Sequence, residues 1–152
     1  MAEQKVMGVE RVISITLPGG TGPILLGCEV DHNFDRSRDV ITADSKCGPS
    51  RLPNPNLAAT IQGNGQVLKN DAGGDLTTKV TEAKIDQLLR NATFFDWVMG
   101  PKSGTPEPGD VVYSGRGWFS ALNSAFNTDG VATFDFTIQV DGDYTQEIEP
   151  AA

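Results

Sequence analysis

The segment GVATFDFTIQVDGDY, residues 130–144, separates into two sets when read at every second position. Ala132, Phe134, Phe136, Ile138 and Val140 are apolar, whereas Val131, Thr133, Asp135, Thr137, Gln139 and Asp141 are mostly polar. Side chains alternate across a strand, so this is a strand with one dry face and one wet face. Just upstream, Asp110–Phe126 reads as a second long strand, with Gly115 and Gly117 marking a bend or a close approach. Between them Asn127–Gly130, "NTDG", is a tight turn. Residues 110–141 therefore read as one long antiparallel hairpin.

The rest of the chain repeats this texture. Glu10–Leu17 is a first strand, Pro18–Pro23 a turn, and Ile24–Val30 a buried strand. Asp31–Asp44 is charged and continues a long hairpin. Ser45–Asn56 holds Pro49, Pro53 and Pro55, which bars a central strand and predicts a long loop. Leu57–Leu68 alternates, with Leu57, Ala59 and Ile61 opposite Thr60, Gln62 and Asn64; Lys69–Asp75 is a turn. Thr81 opens the one convincing helix, Thr81–Ala92, whose Ile85, Leu88, Leu89 and Ala92 make an i, i+3, i+4, i+7 stripe. Thr93–Gly100 is an apolar strand and Pro101–Gly109 a turn-rich loop. The 152 residues read as a single domain, 1–152, with a loose arm at 1–8 and a loose tail at 145–152.

Composition narrows the function. The net charge is −8, and residues 101–152 hold two Lys/Arg against eight Asp/Glu. Such a chain does not grip DNA by neutralising phosphates. No apolar run approaches the roughly 20 residues of a membrane span, and no uninterrupted apolar core marks a secretory signal, so synthesis and folding in a cytoplasm are expected. Cys28 and Cys47 then read as free thiols.

Catalysis finds little support. The only histidine, His32, stands among charges, and Glu29, Asp31, His32 and Asp35 are metal ligands by type but are balanced by Arg36 and Arg38. "GGTGP" at Gly19 and "SGRG" at Ser114 lack the Lys-Ser/Thr ending of a phosphate loop. The reading is a non-enzyme with no cofactor and no metal. The closing hairpin has no proline between Asp110 and Tyr144 and one basic residue, Arg116, so its unblunted strands are either covered inside the fold or used to join another copy by sheet extension.

The order of elements, the Tyr113-Ser-Gly-x-Gly strand and the closing "VATFDFTIQVDGD" resemble the major tail proteins, or tail tube proteins, of long-tailed bacteriophages and related gene-transfer particles. The resemblance spans about residues 10–144 and is most specific over 111–143. It implies a mostly-β fold: a β-sandwich or small barrel with one flanking helix and a long hairpin plus loop. It also implies a virion structural protein, assembled in the bacterial host cytoplasm. Self-association would give stacked, six-membered rings forming a hollow tail tube. Tape-measure and terminator or tip proteins would be its other partners, and DNA would pass through without specific binding. Thr60, Gln62, Asn64, Thr133, Asp135, Thr137, Gln139 and Asp141 are then the candidates for the channel lining. Asp31, His32, Arg36, Arg38, Lys46, Arg51, Leu52 and Pro53, in the hairpin and its loop, are the candidates for contacts between subunits or rings. Two other readings stay open. One is the inner-tube protein of a contractile injection or secretion machine. The other is a β-sandwich module binding a carbohydrate or receptor. That module needs exposed aromatic platforms, whereas Trp97 and Trp118 read as core or interface residues.

Overall fold

A computed structural model describes residues 11–18, 22–26, 29–67, 79–102 and 104–151, with the backbone alone at 29 and 79. The strands are β1 (Arg11–Thr16), β2 (Ile24–Leu26), β3 (Glu29–Ser45), β4 (Gly48–Gln66), β5 (Lys79–Val80), β6 (Phe95–Pro101), β7 (Val111–Ala125), β8 (Thr133–Val140) and β9 (Thr145–Ile148). One helix, α1 (Glu82–Arg90), lies between β5 and β6. The fold is mostly β, as expected. The strands form one sheet in the order β3-β4-β8-β7-β6-β1-β2-β5, with β9 on β7. All described pairs are antiparallel except β2 with β5.

The sheet turns back on itself at β7. Tyr113–Gly117 pairs with β6, whereas Gly117–Ala125 pairs with β8 through a register shift between Phe119 and Ala121. Phe34 on β3 thereby meets Trp97 on β6 and Tyr113 on β7, at ring-centroid distances of 5.6 and 5.3 Å. The enclosed core holds Ile13, Ile15, Ile61, Trp97, Phe119, Phe134, Phe136 and Ile138. Each sits at the alternating position that its strand predicts. The apolar set of residues 132–140 is the dry face, with Phe134, Phe136 and Ile138 buried.

The helix closes this core with Ile85 and Leu88. Glu82 in its first turn and Arg90 in its last suit the dipole. Thr81 stands at the N-cap, yet its side chain makes no capping hydrogen bond. The predicted stripe is shortened at its end. Ala92 lies beyond the helix, exposed, with φ 49°, because the chain turns there into β6.

Three expectations change. Ile24–Val30 is not one buried strand: β2 ends at Leu26, and Val30 belongs to β3 and is exposed. Ser45–Asn56 is not a loop: β4 begins at Gly48 and pairs with β3 from Ser45↔Gly48 onward, turning at Lys46–Cys47. The prolines are tolerated because this part of β4 has, among the described residues, a partner on one side only, as an edge strand does. The segment after Tyr144 is not a loose tail. Thr145–Ile148 pairs with Val111–Ser114, and hydrogen bonds from Gly109 N to Glu149 O (2.9 Å) and Glu149 N to Asp110 O (2.8 Å) extend the ladder. The expected arm at 1–8 and the turn at Lys69–Asp75 lie outside the described residues.

Candidate functional surface

Four strands, β3-β4-β8-β7, carry the wet face. Reading the register across them, Asp35, Thr60, Gln139 and Trp118 form one row. Asn33, Gln62, Thr137 and Ala121 form the next, and Asp31, Asn64, Asp135 and Asn123 the third. Gln66, Thr133 and Ala125 make the last. The candidates Thr60, Gln62, Asn64, Thr133, Asp135, Thr137 and Gln139 therefore share one face, opposite the aromatic core. Asp141 follows at the end of β8, 3.9 Å from Arg116. Short polar contacts stitch the face: Gln139 Nε2 donates to Ser120 Oγ (3.2 Å), and Ser120 Oγ to Thr137 O (3.4 Å). Asp31, Asp35, Asp135 and Asp141 make it acidic. Arg116 is the one basic side chain on it among the described residues.

Trp97 is fully buried, as its strand suggested, and its Nε1 has no hydrogen-bond partner among the described residues. Trp118 is not core. Its register puts it on the polar face, partly exposed beside Gln139.

The polar sheet has two open edges. Among the described residues, β3 pairs with β4 alone. On the other side, the β6 pairing of β7 ends at Phe95↔Gly117. No described strand pairs the outer edge of Trp118–Ala125. An unpaired edge presents a row of backbone donors and acceptors to another chain.

From one end of this sheet projects the β3–β4 hairpin. Beyond Arg38↔Leu57 it pairs, among the described residues, only within itself. Eight residues, Arg38–Ser45, at about 3.3 Å each give an arm of about 26 Å. At its base the register shifts between Arg38 and Val40, and Arg38 Nη1 donates to Asn54 O at 2.7 Å across that irregularity. Lys46 and Arg51 lie exposed toward the tip, with Leu52 opposite Ile41 and Pro53 opposite Val40. Cys47, in the tip turn, is a free, exposed thiol; Cys28 lies outside the described residues.

The remaining interface candidates are placed differently. Asp31 belongs to the polar face. His32 takes the alternate position, on the Phe34 side. Arg36 is folded over aromatic rings, its Cζ 4.7 Å from the Phe34 centroid and 5.2 Å from that of Tyr113. Tyr144 completes the cluster, 5.1 Å from Phe34 and 6.0 Å from Tyr113. Gln146 Nε2 donates to Tyr113 Oη at 3.2 Å. Hydrogen bonds from Gln146 and then from Arg36 lower the pKa of Tyr113. The hydrogen bonds that Arg36 itself donates, to Tyr113 and then to Tyr144, raise its own pKa. This cluster fastens the root of the arm to β7 and to the chain just before β9. Nothing in the alternation pattern pointed to it, because its members come from three distant segments.

Among the described residues no group of three His, Cys, Asp or Glu could hold a metal ion. No described helix is long and apolar enough to cross a membrane.

No family model and no curated protein matches this chain. Solved structures do. A chain of the SPP1 tail tube superposes with a TM-score of 0.72 at 11% identity, covering 96% of this chain and 81% of that one. A chain of the tail of an empty gene transfer agent particle, refined with C6 symmetry, gives 0.68 at 16% identity, covering 94% and 99%. A chain of the extended sheath–tube complex of PVC, an extracellular contractile injection system, gives 0.67 at 14%, covering 96% and 93%. At these identities the likeness is one of fold: this chain has the architecture found in phage tail tubes and contractile injection systems.

Proposed function

We propose that this chain is a structural protein that builds a hollow tube from stacked, six-membered rings. The observation that carries the reading is the β3-β4-β8-β7 sheet. It has a dry face packed on its own core, an acidic-to-neutral face left in water, and an open edge at each side. Copies placed side by side join the β3 edge of one to the β7 edge of the next, and the polar face curves around a bore. Such a contact is heterologous, so it closes a ring when the rotation fits. The sixfold symmetry of the gene transfer agent tail supports six copies.

The bore then serves DNA by not binding it. Duplex DNA carries about one charge per 1.7 Å of axis, and a wall rich in Lys or Arg would hold it. Carboxylates repel it weakly, within a Debye length of about 8 Å at physiological salt. Thr60, Gln62, Asn64, Thr133, Asp135, Thr137, Gln139 and Asp141 are the proposed lining. The setting is a virion tail, assembled in the bacterial host, with tape-measure and terminator or tip proteins as partners. The likeness to the PVC assembly supports a second setting, the inner tube of a contractile injection machine.

Electron microscopy of the purified protein across concentration tests the proposal. Rings and tubes are expected. A monomer at every concentration would refute it.

A further inference from the structure

Two elements of this fold have little of their own to hold them. One is the β3–β4 arm, whose strands beyond Arg38↔Leu57 pair, among the described residues, only with each other. The joint beneath it is irregular. Between Arg38↔Leu57 and Val40↔Pro53, Asp39 stands against Asn54, Pro55 and Asn56. Extra residues on one strand interrupt the ladder and bend the pair. The other element is β9. Its four residues, Thr145–Ile148, are all exposed, and its one described strand partner is Val111–Ser114. A short strand with no buried side chain opens at low free energy.

The two elements share one set of contacts. Arg36, just before the joint, lies over Phe34 and Tyr113 and donates hydrogen bonds to Tyr113 and Tyr144. Tyr144, immediately before β9, meets Phe34 and Tyr113 edge to face, and Gln146 within β9 donates to Tyr113 Oη. Phe34 carries the cluster on to the buried Trp97. We infer that β9 is a releasable strap for the arm: docked on β7 it holds the arm root in one direction, and undocked it lets the arm swing about the joint at Asp39. Release draws Tyr144 and Gln146 away from Arg36, Phe34 and Tyr113, so the arm root loses the contacts that β9 brings to it. The coupling is reciprocal. Loosening the arm root loosens β9 by the same factor by which loosening β9 loosens the arm, and such couplings run to about 5- to 150-fold. The strap is a property of the single chain and stands apart from the ring and the tube.

Both directions are measured on unassembled, full-length protein. Hydrogen exchange reads β9. Arg36→Lys keeps the charge and loses the flat guanidinium over the rings; Arg36→Ala loses both. Each should speed exchange at the amides of Thr145–Ile148 by at least about fivefold, while Phe95–Met99 in β6 keep the wild-type rate. Two spin labels read the arm, one on Cys47 at its tip and one on β6 at Asp96→Cys, both exposed, in a Cys28→Ser background. Glu147→Pro with Ile148→Pro leaves the arm and the ring cluster unaltered. Neighbouring N–H groups point to opposite sides of a strand, so one proline or the other removes a bond to β7. A swing of about 20° carries the tip of an arm of about 26 Å through about 9 Å. The narrow tip-to-β6 distance of the wild type should broaden by that order in the double-proline variant. Unchanged β9 exchange in both Arg36 variants would overturn the inference, and so would a tip distance as narrow with the prolines as without them. Exchange that rises equally in β9 and β6 would overturn it as well, since β9 would then open only with the whole fold.

Discussion

Replacing Gly117 by alanine should destabilise the monomer sharply, and the reason is geometric. A Cβ at Gly117 would stand 2.5 Å from Gln139 O, 3.1 Å from Ile138 Cγ2 and 3.4 Å from Trp97 Cδ1. The oxygen belongs to the backbone of β8, so relief requires β7 and β8 to separate by several tenths of an ångström at the pair Gly117↔Val140. Nor can the methyl withdraw, because the Trp97 indole and Ile138 occupy the neighbouring space. Overpacking of this kind costs about 1–3 kcal/mol. At about 2–4 °C per kcal/mol for a chain of this size, the melting temperature should fall by about 2–12 °C. Circular dichroism on unassembled protein measures it. Gly130→Ala is the control: nothing lies within 4 Å of its added Cβ, and its melting temperature should be nearly unchanged. A Gly117→Ala melt indistinguishable from that of Gly130→Ala would refute the packing argument.

Further outcomes follow from other parts of the molecule. Ala92→Gly should raise the melting temperature by about 1–4 °C, since it relieves a left-handed alanine at φ 49°. Tyr113 ionises more readily in the folded protein than in the unfolded chain. Its contribution to stability is therefore full above the ordinary pKa of 10.0 and is lost as pH falls through the lowered native value. Arg36→Ala should move that titration upward, measured by phenolate absorbance, and shrink the gain in stability on the alkaline side. Asp135→Lys with Asp141→Lys should leave tubes intact and slow or block DNA release; normal genome ejection would show that this face does not line the bore. Arg51→Glu should impair assembly more than folding, read by comparing tube yield with the monomer melt.

The sequence revealed faces better than edges. Alternation over residues 57–66 and 130–141 separated the buried Ile61, Phe136 and Ile138 from Gln62, Asp135 and Thr137, because side-chain direction in a strand is a local property. Gly117 was legible as a close approach, although its neighbours, Trp97 and Gln139, were not. Pairing is non-local, and there the sequence misled. The prolines at 49, 53 and 55 suggested a loop, yet they occupy a strand paired on one side. Thr145–Ile148 has no periodicity because its side chains are all exposed, and its place is set by the backbone of β7. Trp118 read as core or interface; its register beside Gln139 puts it on the wet face and removes the core reading. Arg36 read as a balance for its acidic neighbours and as a contact between copies; its aromatic partners, from β3, from β7 and from the chain before β9, were not legible.

The most direct measurement is a reconstruction of the assembled tube at side-chain detail. It should place the β3 edge of one copy beside Trp118–Ala125 of the next, with Thr133, Asp135, Thr137 and Gln139 facing the bore. A bore lined by any other surface, with those two edges apart, would contradict the account.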